Sequence, residues 1–246
     1  MNSLLVALVV FICTFGGALS GLYLHARLKE HLDADSREVI KLVMGLIATM
    51  SALILGLLIA SAESSYNGQK SELQSLSANV IMLDRLLASY GPDTKLARDE
   101  LRGAIKASQE RIWSTNAPKA LDMNAASSFI SHLQGLNPKT ETGKILQNRA
   151  LEVAVSVMQT RLLMVEQAGD SLPKPFMTAL IFWVTALFMG FGLFTRWNGT
   201  VVAALVIGAI CVSGAIFMIL ELSTPYRGIM QIPDAPLRHA LAQIGK

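Results

Sequence analysis

The chain has 246 residues, 52% of them hydrophobic and only 16% charged, where an ordinary soluble domain carries about 25% charged residues. Its net charge of +3, from 21 Lys+Arg and 18 Asp+Glu, is too small and too dispersed for a nucleic-acid footprint, which needs basic residues gathered on one face. The two cysteines, Cys13 and Cys211, lie far apart inside apolar runs, which excludes a disulfide framework and a zinc site.

The apolar residues gather into four runs long enough to cross the roughly 30 Å hydrocarbon core of a bilayer as helices. The first extends from about Ser3 to Leu24 without a charge. No Lys or Arg precedes it and it is longer than the apolar core of a signal peptide, so it reads as a retained span. The second runs from Val39 to Ala62, with Lys41 near its start. The third, Pro175 to Thr195, opens on Pro173 and Pro175, and proline suits a helix start because its missing N–H would be unpaired there anyway. The fourth runs from Thr200 to Leu222, joined to the third by the turn Arg196-Trp197-Asn198-Gly199. Trp197 fits an interfacial anchor.

Between the second and third spans, residues 63–172 are polar and strongly helical. Leu73, Leu76, Val80, Leu83, Leu87 and Tyr90 recur at spacings of 3 and 4, a heptad seam. The second span is therefore predicted to continue as one long helix until Gly91-Pro92-Asp93 ends it. A second helix is expected from Asp93 or Thr94 to Trp113, with Leu101, Ile105, Ser108 and Ile112 inward. A third is expected around Ala125 to Leu136. A fourth, from Thr140 to Ala168, has the predicted seam Leu151, Val155, Met158, Leu162 and Val165. The predicted architecture is an all-α integral membrane protein: spans one and two in residues 1–62, an extramembrane helical bundle in 63–172, spans three and four in 173–222, and a tail in 223–246. The tail's short helix has Leu237, Leu241 and Ile244 on one side and lies either on the bilayer or on the bundle.

Small residues mark helix contacts in lipid, where close backbone approach replaces a hydrophobic drive. Gly17 and Gly21 form a GxxxG pattern in span one. Ala48, Ala52, Gly56 and Ala60 recur every four residues in span two, and Gly208 lies in span four. They pack either within one subunit or between subunits about an axis. Phe188 and Phe191 of span three stand at helical spacing and either ring a constriction or face lipid and neighbouring helices. Glu221 ends an otherwise uncharged span. A carboxylate in hydrocarbon is costly and faces a polar cavity or partner, although at a span's end it also reaches headgroups and water. Glu63 closes span two, and Arg227 follows Glu221 by six residues. Glu221, Glu63, Phe188, Phe191 and Arg227 are thus the candidate pore or gating residues.

The bundle carries twelve Lys+Arg and twelve Asp+Glu, a solvated surface without an electrostatic bias. No phosphate loop, HExxH or GxSxG occurs, and the four histidines are scattered, so neither an enzyme nor a cofactor is expected.

Leu172-Pro173, Phe188-Met189-Gly190-Phe191-Gly192, Ser213-Gly214-Ala215-Ile216-Phe217 and the run from Glu221 to Gly228, with Pro236-Leu237, resemble the bestrophin-like-domain family of four-span, mostly bacterial membrane proteins. The family's name reflects a likeness to bestrophins, which are pentameric anion channels. The resemblance implies a homo-oligomer in the lipid bilayer, in a bacterial inner membrane, conducting anions. The second span departs from bestrophins in lacking aromatic residues, and only Asp234 follows Pro225 where bestrophins carry an acidic calcium clasp. Arg27, Lys29, Arg37 and Lys41 around the first loop place that loop in the cytoplasm by the positive-inside rule and the bundle outside, whereas the bestrophin likeness implies a cytoplasmic bundle. The alternative to a channel is a non-conducting scaffold or sensor whose bundle docks a protein partner.

Overall fold

Backbone polar groups in hydrocarbon can be satisfied only within the segment that carries them, and long apolar runs accordingly become helices. The computed structural model describes residues 3–28, 34–113, 123–167 and 174–245. Its helices are α1 (Ser3–Leu28), α2 (Ala34–Tyr90), α3 (Lys95–Trp113), α4 (Met123–Gln134), α5 (Glu141–Gln167), α6 (Lys174–Leu193), α7 (Gly199–Leu222) and α8 (Ala235–Gln243), with a 3₁₀ turn at Pro92–Thr94. No strand occurs among the described residues. α1, α2, α6 and α7 are long and apolar enough to cross a membrane.

α2 is one helix of 57 residues, about 86 Å at 1.5 Å per residue, far more than a span requires. It ends at Gly91, whose φ of 127° is open only to glycine at low cost. The Thr94 hydroxyl there donates to the Leu87 carbonyl at 2.6 Å, which also accepts the Gly91 N–H at 3.4 Å, so a side chain reinforces the last turn.

The chain divides into two compact units, one of Met1–Ser65 with Ser171–Thr224 and one of Tyr66–Asp170 with Pro225–Lys246. In the first, α1 packs on α6 and α7. Val10, Thr14, Ala18 and Leu22 form the buried stripe of α1, and Leu180, Val184, Leu187 and Phe188 that of α6. The two backbones touch. A Cβ at Gly17 would stand 2.8 Å from the Thr185 carbonyl oxygen, and Cβ atoms at Gly21 and Gly192 would overlap the carbonyls of Met189 and Ala18. Hydroxyls inside these helices bond to their own preceding turn: Thr14 to the Val10 carbonyl at 2.9 Å and Thr185 to that of Ile181 at 2.7 Å.

The second unit closes on a core of Leu73, Leu76, Val80, Leu83 and Leu87 from α2, all at most 1% exposed. Residues of α3, α4 and α5 complete it, and so does the C-terminal segment through Ile232, Leu237, Ala240 and Ile244. Pro225–Lys246 thus belongs to this unit, and the tail helix is docked on it. Asp84, buried in this core, takes a two-pronged ion pair from Arg98 at 2.8 and 3.0 Å and also accepts the Gly245 N–H at 3.2 Å. The hydrogen bond to Asp84 raises the Arg98 guanidinium above its already high range against the cost of its partial burial. Trp113 Nε1 donates to the Ile232 carbonyl at 3.0 Å and Gln109 to Asp234 at 2.8 Å, so α3 holds the tail at two points.

α5 departs from its predicted face. Ala150, Val153, Ala154, Val157 and Met164 are buried, while Val155 and Leu162 of the predicted seam are exposed and Leu151, Met158 and Val165 are half-buried. The two alanines let α5 approach the core closely, Leu151 packs against its edge, and Val155 and Leu162 turn away from it.

Candidate functional site

The four spans are not equally covered. In their most apolar windows, 28% of residues are buried in α1, 28% in α6 and 22% in α7, but only 11% in α2. Leu42, Leu46, Leu53 and Leu57 of α2 are each more than 60% exposed. Ser51, Leu58 and Ala62 form its buried side, and the Met44 thioether fills the space where Gly190 has no side chain.

The small-residue pattern of α2 lies mostly on the open side. Ala52, Gly56 and Ala60 are exposed and Ala48 is half-buried. A Cβ at Gly56 or Gly45 would meet nothing within 4 Å. At about 100° per residue, Lys41, Gly45, Ala52, Gly56 and Glu63 share one side of the helix, and all five are exposed. The small side chains give this side a shallow surface, with an ammonium at one end and a carboxylate at the other. Sequence reading found the small residues and Glu63 but did not connect Lys41 or Gly45 to them. The helical wheel carries that signal once the helix is known to be unbroken.

The other small residues do different work. Gly17 and Gly21 are consumed by the α1–α6 contact, and Gly208 receives the ring of Phe188, 3.1 Å from where its Cβ would be. Phe188 is buried and meets Phe191 edge-on at 6.1 Å between ring centres, whereas Phe191 is exposed.

Glu221 is 2% exposed. Its carboxylate accepts a hydrogen bond from the Ser3 hydroxyl, so the start of α1 is tied to the end of α7. Nothing in the sequence marks Ser3 as this partner. At the other end of α1, His25 Nδ1 donates to the Leu193 carbonyl at 2.7 Å, and this fixes the ring's tautomer because a carbonyl only accepts.

Arg227 lies in the second unit and is exposed. Beside it, Tyr226 is half-buried against Trp113, ring to ring at 6.0 Å. Burial pushes its phenol well above the usual value, and the Glu72 carboxylate adds to the shift. Among the described residues no three of His, Cys, Asp or Glu converge on one point.

Comparison with known proteins places this arrangement. The sequence model of the Bestrophin-like domain family matches residues 12–237. A crystal structure of a bacterial bestrophin homologue from Klebsiella pneumoniae has a similar fold, with a TM-score of 0.70 at 10% identity over 96% of each chain. A second structure of that homologue gives 0.69 at 12% identity over 99% of each chain. One described only as a membrane protein gives 0.68 at 12% identity over the whole of both chains. No curated protein sequence matches. At such identities the likeness of structure speaks for the fold alone, while the family match covers nearly the whole sequence. The chain is a helical membrane protein and belongs to the Bestrophin-like domain family.

Proposed function

We propose that the protein is an oligomeric, anion-conducting channel in which the open side of α2 from each copy lines the path. One observation supports this above the others: the second span is the least covered of the four, and the side it leaves open carries its small residues. Large apolar side chains facing lipid would need no such strip, because lipid tails pack against leucine as readily as against alanine. Small residues on an uncovered side suit a narrow passage or the close approach of another helix. The bestrophin likeness supplies anions as the expected cargo. In this reading residues 66–170 and 225–246 form the extramembrane part, and the membrane part comprises α1, the first half of α2, α6 and α7.

In such an assembly Lys41 forms a ring at one mouth and Glu63 a ring at the other. Rings of like charge concentrate the opposite ion at a mouth and deplete the same sign. Lys41 then draws anions, and Glu63 limits their flow. Phe188, buried against Gly208, and Glu221, buried against Ser3, act by holding α1, α6 and α7 together, while Phe191 is available to a neighbouring copy. The test is chloride and potassium efflux from liposomes reconstituted with wild type, Lys41→Gln and Glu63→Gln. Lys41→Gln lowers chloride efflux and Glu63→Gln raises it, by roughly two- to fivefold each at low salt, where such rings are least screened. Equal efflux from all three would remove α2 from the path.

A further inference from the structure

Between the last span and the docked tail helix the chain makes a closed loop. α7 ends at Leu222, and the loop runs from Pro225 to Ile232. Its two ends are clasped, because the Ile232 N–H donates to the Pro225 carbonyl at 2.7 Å. Both of those residues are buried. Trp113 grips the base through its bond to the Ile232 carbonyl and its ring against Tyr226. Gly228 turns the chain at a φ of 93°, a conformation that strains other residues. The base is thus pinned, and the tip consists of Arg227, Gly228, Ile229, Met230 and Gln231, all exposed.

The composition of this tip does not suit water. Turns in water favour glycine, proline, asparagine, aspartate and serine. Here Ile229 is 77% exposed and Met230 41%, with Arg227 beside them and no Asp or Glu between Pro225 and Ile232. Aliphatic side chains next to a cation match the boundary of a bilayer, where acyl chains give way to phosphate headgroups. The chain keeps the tip near that boundary. Ile229 follows Leu222 by seven residues, a reach of roughly 25 Å if fully extended, and the closed loop shortens it. The surface against which α7 ends is therefore the surface this loop adjoins.

We propose that residues 227–230 are a membrane-surface anchor, in which Ile229 and Met230 enter the headgroup–acyl boundary and the Arg227 guanidinium binds lipid phosphate. Insertion removes the two aliphatic side chains from water, and a guanidinium grips phosphate through paired, charge-assisted hydrogen bonds. The tail then divides its work: its helix docks on the second unit and its loop on the bilayer. Because Trp113 holds the base of the loop, the anchor also ties α3 to the membrane surface. The inference needs the spans to lie in a bilayer but not to conduct, so it stands apart from the channel reading.

The test uses the full chain, with Cys13 and Cys211 replaced by alanine, in vesicles of phosphatidylcholine and phosphatidylglycerol. An environment-sensitive dye is attached at Ile229→Cys, and at Lys139→Cys, in an exposed loop of the same unit, as the reference in water. Met230→Cys is a second tip site should the first not fold. The tip dye is expected to emit to the blue of the reference and to be quenched roughly twofold or more by lipid spin-labelled near the top of its acyl chain. The reference is expected to respond only to aqueous iodide. Arg227→Gln is expected to reduce quenching of the tip dye by spin-labelled lipid in these vesicles but not in pure phosphatidylcholine, because the anionic lipid's attraction for the cation is lost. Emission and iodide quenching equal at the two sites overturn the anchor. A tip dye shielded from both quenchers also overturns it, by showing protein over the loop. Lipid quenching that Arg227→Gln leaves unchanged overturns the phosphate contact.

Discussion

The hydroxyl of Ser3 donates a hydrogen bond to the carboxylate of Glu221, joining residues 218 positions apart in sequence. The bond closes α1 onto α7 at the end of a span, where a buried carboxylate without a donor would cost several kcal/mol. Glu221→Gln keeps an acceptor for Ser3 and is expected to leave ion flux within about twofold of wild type while lowering stability slightly. Glu221→Leu removes the acceptor and leaves the half-buried Ser3 hydroxyl without it, with a loss of about 1 kcal/mol. Thermal unfolding in detergent, followed by tryptophan fluorescence, separates the two variants. A large flux change in Glu221→Gln at unchanged stability would put this carboxylate on the conduction path instead.

The tail is held to the second unit by its own apolar residues and by Asp84. Asp84→Asn keeps the shape but weakens both the ion pair with Arg98 and the bond to Gly245. Because the Arg98 side chain is one-fifth exposed, its charge retains some water, and the expected loss is about 2 kcal/mol, below the range for a fully buried pair that is broken. Deleting residues 232–246 removes Ile232, Leu237 and Ile244 from the core, at about 2 kcal/mol each. That loss is comparable to the stability of a whole domain. The truncated chain is expected to lose protease resistance in the second unit, with cleavage sites mapped by mass spectrometry.

Tyr226 gives the second unit a pH dependence of known sign. Its phenol is raised in the folded state, by burial first and by Glu72 second. The folded protein therefore holds this proton more tightly than the unfolded chain does, and the resulting stability is present below about pH 10, the usual phenol value, and declines as the pH rises past it. Tyr226→Phe removes the titration together with a hydroxyl that has no hydrogen-bond partner among the described residues. The variant is expected to be at least as stable as wild type at pH 7 and to gain on it steadily between pH 9.5 and 11 (about the range over which an ordinary phenol ionises). A difference in melting temperature that does not change with pH would contradict this.

The glycines of the spans separate by what surrounds them. Gly21→Leu drives a side chain into the Met189 carbonyl, and the α1–α6 contact has no room to yield, so misfolding or loss of expression is expected. Gly56→Leu meets nothing in its own subunit and replaces a poor helix former with a good one, worth up to about 1 kcal/mol. The monomer fold is expected to survive it. Circular dichroism and size-exclusion profiles of the two variants provide the comparison.

Much of this was legible in the residues, for reasons that also explain what was not. The inward seam of α2 at Leu73, Leu76, Val80, Leu83 and Leu87 stands out because large apolar residues sit on an otherwise polar helix. On α5 the same reading chose the wrong side. Ala150 and Ala154 carry little hydrophobic weight but permit the closest approach, and Leu151, Val155 and Leu162 outweigh them in any periodicity. The tail's apolar side could be read from Leu237 and Ile244, but its docking surface lies on residues more than a hundred positions earlier, and spacing does not encode that distance. Small residues in Gly17–Gly21 and in Ala52–Gly56–Ala60 look alike in sequence. Only the packing shows that the first pair is used within the subunit and that the second set is left open. The bond from Ser3 to Glu221 has no pattern at all, because one hydroxyl among many carries no periodic signal.

The most direct measurement is chloride efflux from liposomes reconstituted with wild type and with Gly56→Leu, each shown beforehand to be folded and oligomeric. The account expects chloride efflux well above that of empty liposomes for wild type. It expects loss of most of that efflux in Gly56→Leu, whose four added carbons project from the open side of α2 in every copy. Wild-type efflux unchanged by the substitution would contradict α2 as the lining. No efflux from folded, oligomeric wild type would contradict the channel itself.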